Sequence, residues 1–394
     1  MAQPLSGAQR ALAYTEAQPQ DHPTDGAPQA QQPVRSAPTA PAPGAGEPAQ
    51  NEGAPVPAVS TPSIPRVAAA GGGAPLPTLA APARPRPAQW GWRGRLTRSS
   101  AGTLKLDPGP AELAHREAVA TIRRATWTRA VNVIVTNPKG GIGKTPTCVV
   151  LAGILGQIRG GYVAAVEAVE SAGTLTRRAE GDPVRGLAEL LSAAPGIGSA
   201  GHLGGYTAPQ TSHADVIGTV GARSVLGPED VLTTRQLLDR YYRISVTDTG
   251  NNLGHPAYQV ALRTADAVVL PCLVSLDALA GVEEALAVIS QGGAATQLQE
   301  RVVVILGHDG GPEDPDVAAL VRQRLAELTV RAVVEVPYDP AIRLGGEISL
   351  GALSEASMRA WTLAAAETVK ALAAAPLDVD LVQQMRQSAS IDRT

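Results

Sequence analysis

A single ten-residue stretch, Thr136-Asn137-Pro138-Lys139-Gly140-Gly141-Ile142-Gly143-Lys144-Thr145, constrains this chain more than anything else in it. It follows an apolar run, 131–136, that reads as a strand, and it opens a run, 144–158, that reads as a helix. Glycine clusters arise by chance. One set between a strand and a helix, and closed by Lys-Thr, is specific for a phosphate-binding loop rather than a plain tight turn. Backbone that wraps phosphate oxygens needs conformations a Cβ would obstruct, which accounts for Gly140, Gly141 and Gly143. Successive N–H groups then form an anion nest, and the helix N-terminus adds its partial positive charge. In such a loop Lys144 would neutralise the β- and γ-phosphates of a nucleotide, and the Thr145 hydroxyl would ligate Mg²⁺. The expected ligand-holding set is Gly140, Gly141, Ile142, Gly143, Lys144 and Thr145, with Pro146 and Thr147 in the following turn.

Short apolar runs alternate with longer amphipathic ones over the rest of the chain. Strands are expected at 162–166, 243–247, 267–271, 301–306 and 332–336. Helices are expected at 184–192, 230–241, 256–264, 276–290, 315–328 and 354–374, with a glycine-rich loop at 195–205. Strand–helix alternation predicts an α/β fold, a doubly wound, mostly parallel sheet with helices on both faces. One such domain is expected over 130–375.

The flanks differ in kind. Eighteen of the 33 prolines precede Trp90, in a stretch of Ala, Pro, Gly and Gln that cannot bury enough surface to offset the entropy of ordering. Residues 1–88 are therefore expected to be a disordered tail. Residues 89–129 form a basic segment with Trp90, Trp92 and Trp127, and a helix at 110–124 that places Leu113, Val119 and Ile122 at loosely helical spacing. From Arg84 to Arg129 there are ten basic residues against three acids. Such a segment can contact DNA or an anionic membrane; more often it is a solvated face whose tryptophans dock on the neighbouring domain. The 376–394 end is expected to fray, and its Asp378, Asp380 and Asp392 do not suit a membrane-binding face. Arg343, Arg359 and Lys370 are too sparse for a DNA-binding stripe. A net charge of −3, two cysteines, no apolar leader and no run long enough to span a membrane point to a cytoplasmic protein, peripheral at most to membrane or nucleoid.

The loop Lys139-Gly140-Gly141-Ile142-Gly143-Lys144-Thr145 resembles the deviant Walker A motif of ParA/MinD-type P-loop ATPases, marked by the extra lysine, here Lys139. The resemblance implies ATP and Mg²⁺ as ligands and a homodimer in which Lys139 reaches the partner's nucleotide. It makes Lys139, Lys144 and Asp248 the catalytic candidates. The run Ile244-Ser245-Val246-Thr247-Asp248-Thr249-Gly250 resembles the family's switch II, which implies Asp248 in the Mg²⁺ shell and Gly250 as a γ-phosphate sensor. Ala265–Pro271 looks like the next family strand, and Val336-Pro337-Tyr338-Asp339-Pro340 resembles the base-side segment, which would put Pro337 and Asp339 beside adenine. The resemblance extends in layout from Trp90 to Ala374. More narrowly, 90–98, 116–124 and the phrase Gly173-Thr174-Leu175-Thr176-Arg177-Arg178 resemble proline-tailed actinobacterial proteins associated with type VII secretion or plasmids.

Two positions depart from the family. Pro146 replaces a residue whose N–H helps hold a phosphate oxygen, with Thr147 as the compensating candidate. After the second strand the family reads Asp-x-Asp; here Val166-Glu167-Ala168-Val169-Glu170 puts Glu167 at the first acid and Val169 at the second, which positions water. Glu170 could substitute if the loop shifts, so Glu167, Glu170 and Gly250 are the switch candidates. The expectation is an ATP-dependent dimerisation switch with slow hydrolysis in partitioning, positioning or secretion, acting on a protein partner. A non-hydrolysing, nucleotide-bound scaffold is the alternative, and a metabolic enzyme with 195–205 as a lid ranks behind both.

Overall fold

The computed structural model describes residues 86–100, 103–291 and 299–375. The tail reading (apart from 86–88) and the fraying 376–394 end lie outside the described residues. Among the described residues eight strands form one sheet: β1 (Val131–Val135), β2 (Val163–Ala168), β3 (Ala208–Pro209), β4 (Ala214–Ile217), β5 (Ile244–Thr249), β6 (Ala267–Leu273), β7 (Val302–Gly307) and β8 (Ala332–Glu335). Their spatial order is β3-β4-β2-β5-β1-β6-β7-β8. Every pairing is parallel except that of β3 with β4.

A parallel sheet needs both faces covered, and side chains alternate between faces along each strand. Val131, Val133 and Val135 of β1, Ala267 and Val269 of β6, and Val303 and Ile305 of β7 enter one core. That core is shared with α2 (Pro110–Arg124), α3 (Lys144–Arg159) and α11 (Glu355–Ala373). The intervening Ile134, Val268, Leu270, Val302 and Val304 enter the opposite core. There they meet α7 (Pro256–Arg263), α8 (Leu276–Gln291) and α9 (Pro315–Glu327). Ala164 and Val166 of β2 pack with α4 (Leu187–Ala193) and α6 (Pro228–Asp239). At the N-terminal ends of the central strands, buried Asp266 takes the Arg129 guanidinium at 2.6 and 3.0 Å and the Asn132 N–H at 2.8 Å. Arg301 donates to its carbonyl at 2.9 Å.

The expected strands and the longer helices are present with ends shifted by a few residues. Three features differ. The hairpin of β3 and β4 extends the sheet where no strand was expected. The glycine-rich 195–205 stretch is not an open loop: it contains a 3-10 turn, Ala194–Gly196, and α5 (Ala200–Gly204), capped by the Ser199 hydroxyl. A further helix, α1 (Gly91–Ser99), precedes α2, and α10 (Pro340–Arg343) follows β8. In α2 the inward face is set by Glu112, Ala118 and Ile122; Leu113 points to solvent. No helix among the described residues is long and apolar enough to cross a membrane.

Glu112 explains that rotation. Its carboxylate accepts the backbone N–H groups of Gln89 (2.9 Å) and Trp90 (3.2 Å) and the Arg116 guanidinium (2.5 Å). It ties the stretch before α1 onto α2. Trp90 packs in a tilted arrangement against His115, ring centroids 5.0 Å apart, and lies under Arg359 of α11, and Trp127 lies under Arg159 of α3. Two of the segment's three tryptophans are thus spent on docking, while Trp92 is exposed. Glu112→Ala would strand three donors at a part-buried site, so we expect a loss of about 2 kcal/mol in stability. Chemical denaturation would show it as a lower midpoint with an unchanged slope, whereas Leu113→Ala should shift the midpoint little.

Candidate functional site

The loop between β1 and α3 takes the shape its glycines allow. Gly141 and Gly143 have φ of +77° and +92°, and Gly143 caps α3 in the left-handed conformation. A side chain at either position would be strained. The loop is pinned at its start by Asn137. Its side-chain oxygen accepts the Lys139 N–H at 2.9 Å and its amide donates to the Pro271 carbonyl at 3.0 Å. It packs so closely on Gly281 of α8 that a Cβ there would collide with it. Pro146 falls at the third position of α3, where an N–H has no partner within the helix. The helix therefore loses no hydrogen bond to it, and the next N–H, that of Thr147, donates to the Gly143 carbonyl at 2.9 Å.

Lys144 folds back across the loop. Its Nζ donates to the Lys139 carbonyl at 2.8 Å and to Asn251 Oδ1 at 2.5 Å. Burial pushes its pKa down to about 8, against the opposing fields of Asp248 and Glu170. The next residue, Thr145, donates its hydroxyl to Asp248 Oδ2 at 2.6 Å. Parallel pairing of β1 with β5 puts Val135, just before the loop, in register with Asp248, so the sheet itself brings the two halves of the site together. Asp248 is almost fully buried, and burial raises its pKa to about 7; the Thr145 hydrogen bond works against this rise, the Glu167 charge adds to it, and Lys144 opposes it. Its second oxygen, Oδ1, is buried without a hydrogen-bond partner. A hydroxyl and a carboxylate with a spare oxygen, both hard donors, fit a Mg²⁺ ion bound directly or through water.

These groups open into a cavity of about 480 Å³. Its wall includes Gly140 to Thr147, Val169, Glu170, Asp248 and Gly250, and at the far end His308, Pro337, Tyr338, Asp339 and Trp361. The sequence-expected residues therefore converge, with two exceptions. Lys139 turns outward and pairs with Asp277 at 2.6 Å, both side chains well exposed. Glu167 does not line the cavity. Its carboxylate is buried behind β2, where it pairs with Arg223 at 3.0 Å and accepts the Thr219 hydroxyl and the Gly173 N–H. Glu170, by contrast, lines the cavity, and its carboxylate occupies the place where a Cβ on Gly250 would sit. Asp339 lines the cavity, yet its oxygens accept the N–H groups of Ala341 (3.0 Å) and Ser354 (2.9 Å). Burial works against its charge, but the hydrogen bonds from Ser357, Ser354 and Ala341 outweigh it and hold the carboxyl below its usual range. It shapes that end of the cavity wall. Asn251, Asn137 and Arg223 were not singled out in the sequence; Asn137 stood within the loop stretch and Asn251 next to Gly250, while Arg223 stood near no recognised motif.

A glycine loop between β1 and α3, closed by Lys144-Thr145 and faced by an acid at the end of the adjacent strand, settles the architecture. The fold is that of a P-loop nucleotide-binding domain. No family model matches the chain. The ESX-1 secretion-associated protein EspI of Mycobacterium tuberculosis, in strains CDC 1551 / Oshkosh and H37Rv, is 27% identical over 274 residues, covering 68% of this chain. The chain spans 40% of the length of these curated relatives. Among solved structures it is similar to a ParA family ATPase from Chlorobium tepidum TLS, with 17% identity and a TM-score of 0.46 over 64% of this chain and 97% of that one. It is also similar to the cell division ATPase MinD of Pyrococcus furiosus, with 20% identity and a TM-score of 0.45 over 61% and 99%.

Proposed function

We propose that this chain is a ParA/MinD-type ATPase that works as an ATP-dependent dimerisation switch with slow turnover. The observation that carries the reading is the Thr145–Asp248 pair, with its unpartnered buried oxygen, beside the buried ammonium of Lys144 at the mouth of a glycine nest. The nest and Lys144 would hold the phosphates, and Thr145 and Asp248 the Mg²⁺, whose chemistry is to neutralise phosphate charge. Pro337 and Asp339 would border the base. Lys139 is already outside the cavity, held only by an exposed, solvent-screened ion pair. It can leave Asp277 cheaply for the phosphates of a second copy. Slow turnover is supported by Val169 at the place of the family's water-positioning acid, since any group that orients water must come from the next residue instead.

In this reading residues 130–375 are the switch, and 89–129 is a docked N-terminal addition. The dimer presents a surface to a protein partner in the cytoplasm, at the membrane or at the nucleoid. The secretion-associated name of the curated relatives favours secretion over partitioning. Light scattering of the full chain tests this: ATP with Mg²⁺ should double the mass of wild type, and Lys139→Ala should stay monomeric while holding ATP within a few-fold of wild-type affinity. Equal dimerisation by Lys139→Ala would remove the switch. ATP retained without measurable turnover would identify a nucleotide-bound scaffold instead.

A further inference from the structure

The loop that follows β2 is held by one buried side chain that the reading above leaves unused. Arg223 sits more than fifty residues downstream, with its guanidinium nearly inaccessible. It donates to three successive carbonyls of the loop: Val169 at 2.6 Å, Glu170 at 3.0 Å and Ser171 at 2.7 Å. Its remaining bonds go to the Thr219 hydroxyl at 2.7 Å, the Ser224 carbonyl at 3.0 Å and buried Glu167. The Leu226 N–H adds a second donor on the Glu170 carbonyl, at 3.0 Å. Reading three consecutive carbonyls with one planar fork fixes the backbone direction at residue 170 more tightly than any single hydrogen bond could.

The consequence is where the Glu170 side chain goes. Its carboxylate lies against Gly250 and within the field of Lys144, on the cavity wall. Four acids line that cavity: Glu170, Asp248, Asp309 and Asp339. Asp248 accepts from Thr145, Asp309 from the Gly311 N–H at 2.8 Å, and Asp339 from two backbone N–H groups. Glu170 alone among them has both carboxylate oxygens without a donor among the described residues. An anion held toward a phosphate site weakens ligand binding by repulsion. Holding it there through three clamped carbonyls makes chemical sense when its role is to accept a hydrogen bond from something other than protein.

We propose that Glu170 is the carboxylate that orients the attacking water in ATP hydrolysis, and that Arg223 is the positioning residue that aims it. This rests on the ATPase reading above. In the step, the water oxygen bonds to the terminal phosphorus. The bond from that phosphorus to the bridging oxygen breaks, leaving its electron pair on the diphosphate, and the water's proton ends on the released phosphate. Glu170 accepts the hydrogen bond that fixes the water's direction; such positioning is worth on the order of 10²-fold in rate.

The experiment measures ATP affinity and single-turnover hydrolysis on the full chain for wild type, Glu170→Gln, Arg223→Lys and the double variant. Arg223→Lys keeps a positive charge beside Glu167. Should it fail to fold, Arg223→Gln combined with Glu167→Gln removes both buried charges together and takes its place. We expect Glu170→Gln to lower the hydrolysis constant by about 10²-fold while binding ATP as tightly as wild type or several-fold tighter, because the repelling charge is gone. Arg223→Lys should lose a comparable factor with affinity retained, and the double variant should be no slower than Glu170→Gln alone. Multiplying losses in the double variant would overturn the positioning role of Arg223. Wild-type rates in Glu170→Gln, or ATP bound by wild type with no turnover, would overturn the assignment of Glu170 and leave the binding reading standing. Absence of ATP binding by wild type would remove both.

Discussion

Replacing Lys144 by alanine is expected to lower ATP affinity by about 10²- to 10³-fold, through the loss of charge-assisted hydrogen bonds worth roughly 1.5–3 kcal/mol each. The side chain is nearly inaccessible and already spans the loop, from the Lys139 carbonyl to Asn251. The ammonium is therefore preorganised over the nest, and little entropy remains to be lost when a ligand arrives. The same burial gives the prediction a pH signature. Desolvation lowers the Lys144 pKa to about 8 in the free protein. Phosphate oxygens beside it would raise that value, so binding takes up a proton above pH 8. Wild-type affinity should hold from about pH 7, where Asp248 is ionised, to about 8 and then fall by up to tenfold per pH unit, while Lys144→Ala should bind weakly with no break near pH 8. Titration calorimetry in two buffers of different ionisation enthalpy would show the proton uptake directly. A flat wild-type profile through pH 9.5 would mean that Lys144 does not face the phosphates.

Much of this site could be read from sequence because it depends on local rules. Gly141 and Gly143 are needed for their positive φ, Lys144-Thr145 for position at the very start of a helix, and Asp248 for the end of an apolar strand. Each is a short-range requirement that leaves a mark in the order of residues. The sheet followed from strand–helix alternation for the same reason. What stayed hidden depends on long-range pairing. The two-residue β3 and four-residue β4 are too short to show a period, and β4 is a strand because β2 has an open edge. Glu167 and Glu170 are three residues apart at the end of one strand, and nothing local says which faces the ligand. The choice is made by Arg223 and Thr219, more than fifty residues away. Leu113 looked like a core residue of α2, yet Glu112 is buried because it satisfies two backbone N–H groups over twenty residues earlier in the chain. Asp339 lies on the cavity wall, but its capping bonds to Ala341 and Ser354 could not be seen without the turn that makes them.

Asp248→Asn is expected to make the ligand-free protein more stable at neutral pH while removing its response to Mg²⁺. Burial raises the Asp248 pKa from 3.8 to about 7. The folded state thus holds this proton more tightly than the unfolded chain does. The associated stability is fully present below the unfolded pKa and is lost as pH rises through the folded one, here between about 4 and 7. At pH 7.5 the folded protein carries a buried carboxylate with one oxygen unpaired. Relative to the protonated form, this costs on the order of 4 kcal/mol. An amide is neutral throughout the range, although its N–H₂ group in place of Oδ1 lacks an acceptor and returns roughly 1–3 kcal/mol of that. The net gain should be about 1–3 kcal/mol at pH 7.5 and should turn into a net loss of roughly 1–3 kcal/mol near pH 4, because the cost of the amide does not titrate. Thermal melts across that range would show wild type losing stability with rising pH and Asp248→Asn losing much less. The functional half follows from the same charge. A cation at Thr145 and Asp248 favours the ionised carboxylate, so Mg²⁺ with ATP should restore wild-type stability at pH 7.5 and flatten its pH dependence. Asp248→Asn should bind ATP equally with and without Mg²⁺. A lower melting temperature for the variant at pH 7.5, together with an undiminished response to Mg²⁺, would show that the Asp248 carboxylate supports the fold rather than waiting for a cation.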